Sequence, residues 1–549
     1  MRLADAIAKA VVREGVEVAF NLPDEVTVFV AQALHEQGVR IVRPRHEQNA
    51  VLMADGYARA SNGVGLCLLG AGPALAQTGT ALLTAERRRS QLLVLLGQAP
   101  RNRGGVKGFD ARRFVEATCA QYLEIRSPGT AAEDIQEAFR LVRLARGPVV
   151  LAIGDQATVK SELPGDFAYA PAKRVRERPV EPDPEGEEIQ EAAAMLADAR
   201  RPLIVAGRGA VAAGARDDIV ALADRIGALL ATSVQARELF RGHPRAVGPI
   251  GGFATRDAAE LIAEADCVLA VGIALNPYQW LPQGARVIHV DSEAARIGEF
   301  ARVDIGIVGD ARASVRAVES ALAHAEISHA SAWMAPPMQP RIAAAQAAVP
   351  LNPPTASDKL PIDLALQQLD GILPPNRYIA VDAGLILGFA FDHIAVPGPD
   401  SWLWTADFGS IGLALSMGMG AALARPDSHV VVLSGDGGLM MNYQEIETAA
   451  REQIPVTVIA LNDAAYAAEV RLLESHELPT PLALFDDVDF AAVARAFGAA
   501  GVTVRTEADL SAAARAIDGR KGPLVIDVKI SEDESHRLLE AAGFMASGR

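Results

Sequence analysis

The chain has 549 residues, enough for about three domains at roughly 100–200 residues each, which excludes a peptide, a disulfide scaffold or a single small module. Half the residues are hydrophobic and 22% are charged, the balance of a chain that folds rather than one that stays disordered. A formal net charge of −16 repels phosphate backbones and anionic lipid surfaces, so neither nucleic acid nor a membrane is an expected partner.

The first residues, Met1-Arg2-Leu3-Ala4-Asp5, put an acid where a signal peptide would begin its apolar stretch, and no uncharged apolar run is long enough to span a bilayer. A cytoplasmic location is expected. Cys67, Cys119 and Cys267 lie far apart without metal-ligand spacing and read as small buried hydrophobes in a reducing compartment. Along residues 1–170, apolar runs at 39–42 and 91–96 predict strands, each followed by a helical pattern. Residues 171–188, rich in proline and charge, predict a linker. The second block, 189–325, has strand runs at 202–206, 267–271 and 287–290. Proline-punctuated residues 335–361, around one short helical segment, predict a second linker. In the third block, 360–549, residues 429–433 and 455–460 predict strands. Strands alternating with helices of this length make each block an α/β domain around a parallel sheet, so the fold class is three consecutive α/β domains. In such sheets ligands sit beyond the carboxyl ends of strands, where chemistry is to be sought.

The richest such end is Gly435-Asp436-Gly437-Gly438, followed by a helix, a second strand and Asn462-Asp463-Ala464-Ala465-Tyr466. Carboxylates after two strands, Asp436 and Asp463, converge on one sheet edge if those strands are neighbours, and would hold a hard cation. The glycines let backbone N–H groups approach an anion at the next helix start, a combination suited to a diphosphate.

This pattern resembles the cofactor motif of thiamine diphosphate enzymes. Two further stretches carry the resemblance: Arg45-His46-Glu47-Gln48-Asn49-Ala50 leading into Ala54-Asp55-Gly56-Tyr57-Ala58-Arg59, and Phe408-Gly409-Ser410-Ile411-Gly412 preceded by Val381-Asp382-Ala383-Gly384. It spans the chain in the order pyrimidine domain (1–170), central domain (189–325) and diphosphate domain (360–549), as in acetolactate synthases, benzaldehyde lyases and 2-oxo acid decarboxylases. It implies thiamine diphosphate and Mg²⁺ as cofactors. It also implies that Glu47 shares a proton with the pyrimidine N1′, which a partly buried carboxyl can do. Ile411 would be the wedge between the cofactor's two rings, in a turn with Gly409 and Ser410. Asp436, Asp463 and the Ala465 carbonyl would bind the metal, with Gly435, Gly437, Gly438 and Tyr466 lining the diphosphate.

Departures narrow the reading. Asp463 stands where an asparagine is more usual, Leu22-Pro23-Asp24-Glu25 replaces the usual Pro-Gly turn, and no histidine lies between His46 and His243, so the histidine pair of pyruvate decarboxylases is missing. Residues 70–75 lack the amide side chain of the corresponding acetolactate synthase run. Glu25 and Glu469 are candidate acids facing substrate. The expected activity is that of a carboligase or lyase, acetolactate synthase-like, acting on a 2-oxo acid or 2-hydroxy ketone; the alternative is a non-oxidative 2-oxo acid decarboxylase. Two rival readings are a nucleotide-dependent oxidoreductase resting on residues 207–214 and a non-catalytic cofactor-binding subunit. Some relatives hold FAD or ADP in the central domain; none is expected here, because the glycines of 207–214 lack dinucleotide spacing. As Glu47 and Asp436 fall in different blocks, relatives of this order share sites between subunits, implying a homodimer at least, with a tetramer as the larger form. Residues 101–113 and 471–487 are expected to shape specificity.

Overall fold

Runs of leucine and β-branched residues, apolar on both faces, form strands covered by helices on either side, the arrangement that all-parallel sheets require. The computed structural model describes residues 1–541 except 101–104, 145–146, 173–179, 326, 328, 353–358 and 532–534. The first sheet contains β1 (Val18–Asn21), β2 (Arg40–Val42), β3 (Gly65–Leu69), β4 (Leu92–Gly97), β5 (Gln121–Glu124) and β6 (Val149–Gly154). The second contains β7 (Pro202–Ala206), β8 (Leu229–Thr232), β9 (Ala246–Pro249), β10 (Cys267–Val271), β11 (Arg286–Asp291) and β12 (Ile305–Val308). The third contains β13 (Arg377–Val381), β14 (Trp402–Trp404), β15 (His429–Gly435), β16 (Val456–Asn462), β17 (Ala500–Val504) and β18 (Leu524–Lys529). Every pairing within them is parallel. The chain is therefore three α/β domains in succession.

The first and third sheets have one topology: β2-β1-β3-β4-β6-β5 is repeated as β14-β13-β15-β16-β18-β17. The central sheet differs, running β12-β11-β10-β7-β8-β9, the doubly wound order of dinucleotide-binding folds. There the amide of Gly207 donates to Val271 and that of Gly209 to Gly272, so the loop after β7 is stitched to the loop after β10.

The two outer domains share one buried core, in which Leu52 and Met53 of helix Glu47–Ser61 join Met417 and Ala421 of helix Ala414–Ala424. Glycine makes the approach possible. A Cβ on Gly56 would sit 2.0 Å from the Met417 carbonyl oxygen, and one on Gly420 would sit 1.9 Å from that of Met53. Arg59 locks the same contact: it pairs with Asp55 at 2.7 Å and with Asp407 of the third domain, all three side chains being buried.

Two expectations need correction. Cys67 and Cys267 are buried, but Cys119 is exposed, on a turn at φ +59°, because the short helix Ala111–Ala117 ends just before it at the surface. The proline-rich stretch 335–361 is not a solvated tether throughout. Its helix Met338–Ala345 places Ile342 and Ala345 in the central domain's core beside Trp333, whose indole N–H donates to the Pro202 carbonyl at 2.9 Å. Residues 353–358 of that stretch, 173–179 of the first linker and 101–104 of the loop 101–113 lie outside the described residues. Among the described residues no helix is long and apolar enough to cross a membrane.

Candidate active site

β15 and β16 are neighbours in register, Gly435 lying opposite Leu461, so the residues that follow them emerge side by side. Asp436 opens the helix Asp436–Met440 and is buried. Its Oδ1 accepts from the Gly437 amide at 2.8 Å and its Oδ2 from the Ala464 amide at 2.7 Å. Asp463 follows β16 and is also buried, its Oδ1 accepting from the Ala465 amide at 3.2 Å. Ala464 takes a left-handed conformation, φ +63°, which turns the chain so that both carboxylates meet around it. Burial pushes the Asp436 carboxyl well above the usual carboxylate range, and burial together with the adjacent Asp436 charge does the same to Asp463. Two adjacent buried carboxylates, both raised by burial and one raised further by the other's charge, are incomplete without a counter-charge, and an all-oxygen donor set suits a hard divalent cation. Among the described residues no group of three or more His, Cys, Asp or Glu forms a metal cage, so the remaining ligands of such an ion would come from elsewhere, as a diphosphate can provide.

The glycines beside Asp436 are there for space. A Cβ on Gly437 would meet the Tyr466 ring at 2.6 Å, and one on Gly438 would meet Asp382 Oδ2 at 2.6 Å and the Gly412 nitrogen at 3.2 Å. The turn Gly409–Gly412 is thus packed directly on the Asp436 helix, with Ile411 Cβ 3.5 Å from the point where a Gly438 Cβ would lie. Gly409 and Gly412 occupy φ +76° and +81°, a region that favours glycine. Ser410 Oγ donates to the Ile411 carbonyl at 3.0 Å. The turn at 409–412 and the segment 435–438 are therefore brought together.

Asp382, in the sequence only part of the stretch that precedes the Ile411 turn, directly follows β13. Its buried carboxyl accepts from the amides of Gly412 at 2.9 Å and Leu413 at 3.2 Å and from Ser434 Oγ at 2.7 Å, which ties the Ile411 turn to β13 and β15. The sequence signal that could have found it is an acid at a third strand end of the same sheet. Asn442 adds a side-chain hydrogen bond to the Gly412 carbonyl.

Ala465 is buried, and Tyr466 stands half exposed against Phe485 with ring centroids 5.3 Å apart. Glu469 lies exposed in the first turn of helix Ala467–Ser475. Around this edge Phe408, Met440, Met441, Tyr466, Leu484 and Phe485 all expose apolar surface, a patch of the kind that marks an interaction site.

Glu47 starts the helix Glu47–Ser61 in the first domain and accepts from Gln77 Nε2 at 3.1 Å. The contacts of its segment with the third domain go elsewhere than the Asp436 edge. Asn49 Nδ2 and the Arg45 amide reach Glu445, and Arg45 Nε pairs with Glu447 at 2.7 Å. Glu25 is exposed and gripped by Lys107 Nζ at 2.6 and 2.7 Å. That hydrogen-bonded ammonium holds its carboxyl below the usual range, which works against Glu25 as a proton donor.

Comparison with known proteins identifies the family. Residues 1–117 match the model "Thiamine pyrophosphate enzyme, N-terminal TPP binding domain", 189–318 the "central domain" and 382–528 the "C-terminal TPP binding domain" of the same enzymes. Among curated relatives, "Putative acetolactate synthase large subunit IlvB2" of Mycobacterium tuberculosis is 30% identical over 97% of this chain and 98% of its own length. "Sulfoacetaldehyde acetyltransferase" of Castellaniella defragrans is 28% identical over 95% of this chain and 91% of its own. "Acetolactate synthase isozyme 1 large subunit" of Escherichia coli is 28% identical over 97% and 94% respectively.

Proposed function

This chain belongs to the thiamine pyrophosphate enzyme family, and from that premise we propose that it is a thiamine diphosphate- and Mg²⁺-dependent carboligase or lyase, acetolactate synthase-like, acting on a 2-oxo acid or 2-hydroxy ketone. One observation carries the reading: the buried Asp436 and Asp463 carboxylates, the glycine cradle and the Ile411 turn meet at one sheet edge. When bound, the cofactor supplies the carbon nucleophile and the electron sink for making or breaking a bond beside a carbonyl.

The chain's own residues hold and tune it. Asp436, Asp463 and the Ala465 carbonyl hold the cation. The amides at residues 435–438 and the Tyr466 ring receive the diphosphate, and Ile411, set by Asp382, bends the bound molecule with Gly409 and Ser410 beside it. Glu47 holds a proton at the pyrimidine N1′. Glu469 is proposed to exchange protons with substrate, while Glu25, kept ionised by Lys107, acts on charge rather than as an acid.

A second copy of the chain completes the site in this reading. Two observations support it: the Glu47 segment is engaged with Glu445 and Glu447 within its own chain, and the Asp436 edge is rimmed by exposed apolar side chains. A dimer is the smallest active unit, with a tetramer as the larger form. A reducing compartment, the cytoplasm, is the proposed location, and the free state of Cys67, Cys119 and Cys267 supports it.

The test is a mass-spectrometric screen of 2-oxo acids and aldehydes with the purified protein. The expected result is a new C–C bonded product, formed only when thiamine diphosphate and Mg²⁺ are both present. A protein that neither binds the cofactor nor turns over any such substrate contradicts the proposal.

A further inference from the structure

The acid that joins the outer domains, Glu445, has no role in the reading so far. It is fully buried, as is its partner Asn49. Its Oε1 accepts from Asn49 Nδ2 at 2.8 Å and from the Arg45 amide at 2.9 Å, two groups that flank Glu47 in the chain. Its Oε2 is buried without a hydrogen bond, and so is Asn49 Oδ1. The Thr448 hydroxyl also faces this carboxyl group, but not in hydrogen-bonding geometry to Oε2.

Two orphaned acceptors on one facing pair are costly if Glu445 is ionised, since each has lost its water and gained no partner in return. One proton on Oε2 satisfies both at once, because a carboxylic acid and a primary amide form a ring of two hydrogen bonds. We propose that Glu445 is a positioning residue working as a neutral acid, its Oε2–H donating to Asn49 Oδ1, and that this acid–amide pair sets Glu47 against the cofactor. Burial pushes the Glu445 carboxyl up, against the opposing pull of the hydrogen bonds from Asn49 and Arg45 and of the nearby Thr448 hydroxyl, in keeping with a neutral group. The Glu445 amide also donates to the Asn442 carbonyl at 2.9 Å, and Asn442 holds the Gly412 carbonyl. Residues 442–445 thus tie the Ile411 turn of a chain to the helix that carries Glu47 of the same chain.

This inference rests on the proposed role of Glu47, and the experiment separates the two. Hydrogen–deuterium exchange at C2 of thiamine diphosphate, bound at saturating concentration, is measured in the parent, in Glu445→Ala and in Glu445→Gln, together with cofactor affinity and thermal unfolding. Glu445→Ala is expected to slow exchange about tenfold or more through misplacement of Glu47, at unchanged affinity. Glu445→Gln can remake both hydrogen bonds and is expected to restore the rate to within about twofold. Glu445→Gln as slow as Glu445→Ala overturns the neutral pair, and Glu445→Ala as fast as the parent overturns the positioning role. Should Glu445→Ala not fold, Asn49→Ala replaces it with the same two readings. A folded parent that shows no C2 exchange overturns the role of Glu47 itself.

Discussion

Gly438→Ala is a one-methyl perturbation whose effect can be worked from contacts. Gly438 is helical and is not at positive φ, so alanine brings no backbone strain and gains about 1 kcal/mol of helix propensity. Against that, the new Cβ would lie 2.6 Å from Asp382 Oδ2, about 0.8 Å inside the ordinary contact range of 3.4–4 Å. The oxygen that must move accepts from the Gly412 amide and from Ser434 Oγ. The Gly412 amide keeps Oδ1 at 3.0 Å, so leaving the Ser434 hydroxyl unsatisfied and the Gly412 bond weakened costs about 2–3 kcal/mol on a scale of 1–3 kcal/mol per lost partner, and the loss outweighs the propensity gain. The free protein relaxes by letting the Ile411 turn swing away, and cofactor binding must bring it back. If about 2–3 kcal/mol falls on binding, thiamine diphosphate binds roughly 30- to 150-fold more weakly at 1.4 kcal/mol per tenfold. Calorimetric titration at fixed Mg²⁺ reads this directly. A dissociation constant within about threefold of the parent's would refute the claim that Asp382 holds the wedge.

Asp436→Ala should abolish Mg²⁺-dependent cofactor binding, whereas Asp463→Asn keeps an oxygen ligand, removes one of two buried like charges and should bind within about tenfold of the parent; fluorescence titration with and without Mg²⁺ separates the two. Glu47→Gln should leave cofactor affinity nearly intact and slow C2 exchange about 100-fold or more, measured by NMR. Arg59→Leu strands the buried Asp55 and Asp407 carboxylates and should cost about 3–5 kcal/mol in denaturant unfolding, with a loss below about 1 kcal/mol counting against the interdomain lock.

Much of this fold was legible because parallel strands buried on both faces are written as unbroken apolar runs, as at β10 and β15. The strand ends carrying Asp436 and Asp463 were legible for the same reason, since a motif after a strand has a known direction. Strand order was not, because nothing local in β14 says that it pairs with β13 rather than with β15. The role of Asp382 was hidden by distance: its partners Gly412 and Leu413 lie about thirty residues further on, and a lone acid at a strand end has no periodicity to reveal it. Nothing in the sequence around Glu445 marks it, for its burial depends on a helix from another domain. Proline spacing made residues 335–361 read as a tether, although a helix with only Ile342 and Ala345 pointing inwards is enough to dock them. Cys119 sits where a short helix runs out at the surface, which composition does not disclose.

Mixing inactive Glu47→Gln chains with inactive Asp436→Ala chains, and measuring C2 exchange after the subunits have re-equilibrated, tests most directly whether Glu47 and the Asp436–Asp463 edge form one site across two copies. A mixed dimer holds one intact site, so random assortment should return about a quarter of the parent's exchange rate. No recovery despite demonstrated subunit exchange, or full activity in a monodisperse monomer, would contradict the shared site.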